Sequence, residues 1–254
     1  MSRDILLKAI AGVGFTAIAV ALSLRHRLGS AREIAIAAAR AFVQLAAVGA
    51  LIALVFELPG LAFAFVGAMV ATAAVTSGSR LRGLPGARVR ALVSIALPAL
   101  AATLALLALG AFAFTPRAAV PTAGILIGGA MAATTLTGRR LLESLQDEIP
   151  EIETRLALGD AARTALAPAV RRAVHTGLIP VIDQTRSVGL VTLPGTFVGL
   201  ILGGATPAQA AATQLVVLLA LVAVELSAGL LLAELTQRAV ILPGERVQRI
   251  AVQR

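Results

Sequence analysis

The stretch 153-ETRLALGDAARTALAPAVRR-172 decides how the chain is to be read. It sets six charged residues (Glu153, Arg155, Asp160, Arg163, Arg171 and Arg172) among helix-forming alanines and leucines, broken once by Gly159-Asp160. The surroundings are oil-like. Over 254 residues the chain is 58% hydrophobic and 14% charged, with a mean hydropathy of +0.92, which is the composition of a membrane protein. The absence of cysteine excludes disulfides, thiolate metal sites and cysteine nucleophiles. With no Trp or Tyr, interfacial anchoring falls to arginines and leucines, helped by Phe56, Phe63, Phe65, Phe112 and Phe114 near predicted span ends.

Working outward from that stretch, seven runs are long and apolar enough to cross a bilayer core of ~30 Å, which takes about 20 residues of helix. They cover 5–24, 41–57, 61–78, 91–114, 121–138, 187–204 and 209–235. The first is read as a helix and not as a cleaved leader, because 25-RHR-27 follows it where a small-residue cleavage site would stand. Connections alternate between nearly uncharged ones, such as 57-ELPG-60, and arginine-rich ones, such as 80-RLRGLPGARVR-90. Placing the arginine-rich set in the cytoplasm leaves only Arg3, Lys8 and Arg117 of the 22 basic residues on the other side. The N-terminus is then expected outside and the C-terminus inside. The fold expected is all-α: a polytopic membrane helix bundle of about seven transmembrane helices, one domain over 1–254, with one long cytoplasmic helical insert at about 138–186.

That insert carries seven of the thirteen acids and seven arginines. Pro150 suits the first position of a helix, with Glu151 and Glu153 in its first turn to complement the dipole. Gly159 stops it, Asp160 is placed to cap a short helix 161–166, and Pro168 opens a third segment running towards Pro180. Such an insert cannot bury a large core alone. It is expected to present a short helix sideways to a soluble partner, the alternative being a solvated linker.

Glu153 followed six residues later by Gly159, among alanines, resembles the EAA-type cytoplasmic loop of ABC-transporter permeases. The run 178-LIPVIDQTRSVGLVTLPGTFVGLILGGATPAQAAATQLVV-217, with 124-GILIGGAMAATTL-136, is similar to the FetB-type permeases, a family of bacterial iron export permeases. The resemblance implies a membrane subunit working as a homodimer with a separate ATPase, which docks on the insert through Glu153, Gly159, Asp160, Arg163 and Arg171. It also implies export of a metal ion, iron in the family. Two departures stand out. Gly129 and Ala132 occupy positions where the family pattern carries Asn, and Thr196 to Leu200 replace a Met-Met-Thr-Gly-Gln run, so this chain lacks whatever polar or thioether contacts those side chains make.

Within the predicted sixth span, Pro194-Gly195 is expected to kink or break the helix near mid-membrane and so line a pathway, or else to serve packing alone. Glu225 is the one ionisable residue deep in a predicted span and is expected to face the bundle interior. Its candidate polar neighbours are Thr134, Gln214, Gln44, Thr135 and Thr137. A carrier or channel coupled to protonation of Glu225 is the competing reading. No cofactor is expected. ATP hydrolysis by the chain itself is excluded, because a phosphate-binding loop needs a lysine and Lys8 is the only one. His-Glu-x-x-His and Gly-x-Ser-Gly motifs are missing as well. His26 and His175 are read as solvated loop residues. The net charge of +9 is spread over four arginine-bearing segments, as topology requires and nucleic-acid binding does not.

Overall fold

The structure, a computed structural model, describes Arg3–Gln248; the chain ends, whose sidedness the arginine count predicts, lie outside the described residues. Nine helices follow one another among the described residues: α1 (Arg3–Arg25), α2 (Ala31–Glu57), α3 (Pro59–Arg80), α4 (Ala87–Ala108), α5 (Pro116–Asp147), α6 (Ile149–Ala157), α7 (Ala162–Ser187), α8 (Gly195–Leu202) and α9 (Pro207–Val240). A two-stranded antiparallel hairpin, β1 (Ile241–Leu242) with β2 (Arg246–Val247), closes the described chain. Among the described residues six helices are long and apolar enough to cross a membrane: α1, α2, α3, α4, α5 and α9. The all-α polytopic architecture is therefore as expected.

The chain divides into two compact units, the first ending at Leu58 and the second beginning at Pro59. The first is the hairpin of α1 and α2, its turn closed by a 3.0 Å hydrogen bond between the Ser23 and Ser30 hydroxyls. The second is built around α5, which packs against α3, α4, α7 and α9. Helices α3 and α4 have 22 residues each, ~33 Å of helix, which matches the bilayer core. Helices α5 and α9, with 32 and 34 residues, are longer by roughly 15 Å, and this excess projects from the arginine-rich end. A 3.0 Å hydrogen bond between the hydroxyls of Ser77, near the end of α3, and Thr135 joins α3 to α5.

Two cores follow from this. The one within the membrane layer joins Val70, Ile95, Leu126, Ala130, Val181, Leu221 and Val224. The second, at the arginine-rich end, joins Leu81, Leu84, Leu145, Ile152, Leu166 and Leu232.

The region from 160 to 206 departs from expectation. The short helix 161–166 and the segment from Pro168 are one continuous α7, which passes through Pro168 and Pro180. Both prolines forfeit a backbone hydrogen bond, but packing on α5 and α9 holds the helix together. Asp160 does not cap it, because its carboxylate is drawn to Arg155 at 2.8 Å. The Ala162 N–H at the start of α7 donates instead to Glu245 from the hairpin after α9.

Nor is there a helix over 187–204. Residues 188–194 form a turn bridged between Val188 and Thr192, and α8 is only eight residues long. Pro194 is therefore the N-cap of α8 and Gly195 its first residue, so the pair starts a helix and does not interrupt one. Proline fits a helix start because it has no N–H to leave unpaired.

Glycine sets the depth of α7. A Cβ added to Gly177 would lie 2.2 Å from Thr137 Oγ1 and 3.1 Å from the Ala133 carbonyl, and one added to Gly229 would lie 3.0 Å from the same hydroxyl. Helices α5, α7 and α9 thus meet at Thr137 at backbone distance. From Gly177 onward α7 runs beside the membrane-layer part of α5, and Val181 enters the core there.

Gly177→Ala is expected to destabilise the bundle by about 1–3 kcal/mol through overpacking, seen as a lowered Tm in detergent. Gly195→Ala, with nothing within 4 Å of the added carbon, is expected to leave the Tm unchanged. Equal Tm values for the two variants would contradict the three-helix junction.

Candidate functional site

The predicted coupling residues cluster on one arm. Helix α6 has Pro150 in its first turn and ends before Gly159, whose φ of +98° is the left-handed backbone that glycine favours. Ile152 is buried and Leu156 partly so, both against the arginine-rich-end core, which fixes α6 to the bundle. Glu153 is partly buried. The tip faces outward, and Leu158 is 83% exposed. Arg163 pairs with Glu234 of α9, whose carboxylate raises the guanidinium above its ordinary range by hydrogen bonding first and by charge second. Arg163 is surface-exposed, so this is a tether of position more than a source of stability. Arg172 pairs with Glu148, and Arg140 reaches Glu143 and Glu148 at 3.3 and 3.4 Å. Arg171 shares a cleft of about 380 Å³ with Arg140, Arg172, His175 and Thr176.

The predicted pathway residues do not form one site. Glu225 is 6% exposed and lies over Gly129, where an added Cβ would come within 2.7 Å of its Oε1 and 2.6 Å of Leu221 Cδ2. Gln214 is buried on the same helix roughly 16 Å away along the axis, and its Oε1 has no hydrogen-bond partner. Thr134 is also buried without a partner for its hydroxyl, as is Thr137, whereas Thr135 donates to the Met131 carbonyl and meets Ser77. Pro194 and Gly195 lie between the two turns that flank α8, away from these residues along the chain. Gln44 is exposed in the first unit.

A further set of polar residues was hidden inside the expected insert. In the second half of α7 the outward residues are Ile179, Pro180, Asp183, Gln184 and Arg186. Asp183 and Arg186 lie roughly 9 and 14 Å past Gly177 along the helix axis, on the stretch of α7 whose Val181 joins the core shared with the long apolar helices. Neither side chain has a partner among the described residues. By contrast, α4 turns Leu97 and Leu104 outward, and α9 turns Leu215, Leu219 and Leu226 outward. A charged pair three residues apart, just after the apolar run 178-LIPVI-182, is the sequence signal that marks this stripe.

Long apolar helices around a tightly packed α5, with one polar arm at the arginine-rich end, define a multi-pass membrane protein. The profile described as "Uncharacterised protein family (UPF0014)" matches residues 6–241, and the chain belongs to that family. It is 42% identical over 216 residues to the rice UPF0014 membrane protein STAR2, covering 84% of this chain and 75% of the relative. It is 35% identical over 218 residues to the Arabidopsis thaliana protein ALUMINUM SENSITIVE 3, covering 84% and 79%. To the Escherichia coli probable iron export permease protein FetB it is 31% identical over 203 residues, covering 79% and 78%. No solved structure matches.

Glu245→Ala removes the carboxylate that accepts the first N–H of α7, a change of capping type worth about 0.5–2 kcal/mol. Amide exchange across 162–166 is expected to quicken while that of α4 is unchanged. Unchanged exchange at 162–166 would place the cap elsewhere.

Proposed function

We propose that this chain is the membrane-spanning permease subunit of an ABC transporter, working as a homodimer and moved by a separate ATPase that docks on the arm. The observation that carries the reading is the arm's construction. Its tip, from Leu158 to Ala161, faces outward, while Ile152 and the start of α7 tie it rigidly to the bundle. A solvated linker needs no such anchoring.

On this reading the arginine-rich end is cytoplasmic, with the N-terminus outside and the C-terminus inside. Leu158 is the apolar anchor of the interface, Gly159 gives the turn, and Glu153, Asp160, Arg163 and Arg171 form its polar rim. The E. coli relative bears the name of an iron export permease. Export of a metal ion, iron included, is proposed on that name. The alternative, a secondary transporter or channel coupled to protonation of Glu225, draws on a buried carboxyl with no partner among the described residues. That carboxyl lies in a helix contact over Gly129, so the arm-driven permease is the reading adopted.

The purified chain alone is expected to hydrolyse no ATP. Leu158→Asp should weaken binding of the ATPase roughly ten- to a hundredfold, the loss of one buried leucine. Arg171→Glu should weaken it by about fivefold, as a rim charge does, with a steep dependence on salt. Co-purification and titration of the two subunits measure this. Unaltered binding by both variants refutes docking on the arm.

A further inference from the structure

The outward stripe of α7 runs Arg172, His175, Ile179, Asp183, Arg186, at the three- and four-residue spacing that keeps side chains on one helix face. It begins in the cleft at the arginine-rich end and reaches roughly 14 Å past Gly177, close to mid-bilayer. Nothing in the second unit covers it, because Asp183, Gln184 and Arg186 remain exposed with every helix of that unit in place. Facing lipid there, an Asp and an Arg would each cost about 2.5–3.5 kcal/mol or more, so such residues face water or protein. The neighbouring helices differ, since the residues α4 and α9 expose there are uncharged: leucines and alanines, with Ser227 bonded back to the Ala223 carbonyl.

We infer that this stripe is one wall of a water-filled path from the arginine-rich end to mid-membrane, and that the same stripe of a second copy is the opposite wall. The stripe is self-complementary. Two copies in one membrane, related by a two-fold axis along its normal, bring the two α7 helices together at equal depth. In such an isologous contact Asp183 of each copy meets Arg186 of the other. The two residues differ in depth by roughly 4.5 Å, a step an arginine side chain spans. Both charges, which lack a partner among the described residues of one chain, are then each paired once, in two symmetric ion pairs, while His175, Thr176 and Arg172 keep the mouth wet. The inference rests on the proposed transport role for its use, but not for its geometry.

The chain contains no cysteine, so single cysteines at 175, 179, 183 and 186 can be tested in the full chain in native membranes. The thiolate is the reactive form and does not form in lipid, so a charged, membrane-impermeant methanethiosulfonate should modify these positions at least roughly tenfold faster than cysteines at 219 and 226. Oxidation of Ile179→Cys should give a disulfide-linked dimer. Asp183→Arg or Arg186→Asp added to that variant should cut the dimer yield severalfold, and the double exchange should restore it. Restoration separates loss of the ion pair from loss of folding.

Modification without a dimer, or a link from Ile179→Cys to a second cysteine on α2 of the same chain, overturns the second copy as the covering wall. Absence of modification overturns the path. ATPase binding is read separately: a stripe that labels and cross-links in a chain that binds no ATPase leaves this inference standing and removes the proposed function.

Discussion

Thr137, held between Gly177 and Gly229, is the contact on which the rest of the second unit depends. In lipid, apolar side chains gain nothing from leaving one apolar medium for another, so helices associate where small residues let backbones approach. Here one hydroxyl fills the space that two absent side chains leave. That contact brings α7 into the bundle at a depth its own composition would never choose. Once α7 is there, its inward residues Ala173, Val174, Gly177 and Val181 fill the groove between α5 and α9, and its polar residues are left on the outside of the unit.

This explains which parts of the fold were legible. Apolar spans were legible because hydropathy measures transfer to an apolar medium: α1, α3, α4, α5 and α9 overlap the predicted runs, whereas α2 starts at Ala31, ten residues before its run, because the arginines at its start masked it. The start of α6 at Pro150 and its end at Gly159 were equally legible, since both signals act within one turn of backbone. Helix α7 was not. Its mean polarity is that of a surface helix and its two prolines read as breaks, yet its stability is tertiary. The apolar run after it misled in the opposite sense: 187–204 is oily enough for a span but is divided into a turn and a short helix, with Leu190 and Val191 exposed.

The candidate site divides along the same line. That the arm residues lie close together was legible because charge and turn chemistry in a polar segment are local. That Glu225 is buried was legible because a lone carboxylate in an apolar run is conspicuous, but its surroundings were not foreseen. Thr134 and Gln214 share its burial without sharing its place, since sequence distance along one helix and adjacency across three are different things. Asp183 and Arg186 were passed over because a charge in a segment taken for soluble is unremarkable. Only the depth set by Gly177 makes them expensive, and therefore informative.

On the proposed reading, in which an ATPase docks on the arm, the geometry of α7 sets how force applied there reaches the other end of the helix. Its 26 residues form a rod of ~39 Å, with Arg163 tied to Glu234 at one end and Arg186 within the apolar layer at the other. A rod moves its far end when its near end is pushed. Pro168 and Pro180 each remove one rung of the hydrogen-bond ladder, leaving the carbonyls of Thr164 and Thr176 without their usual donors. Bending is therefore easiest at those two levels, one on either side of the junction at Gly177. A displacement of the arm then has two routes: it turns the whole rod about the tight contact with Thr137, or it flexes the rod at Pro168 and dies there. Which route dominates depends on how firmly α6, through Ile152, and Glu245 hold the first turns of α7. The hairpin after α9 thus helps to hold the first turns of α7 through Glu245.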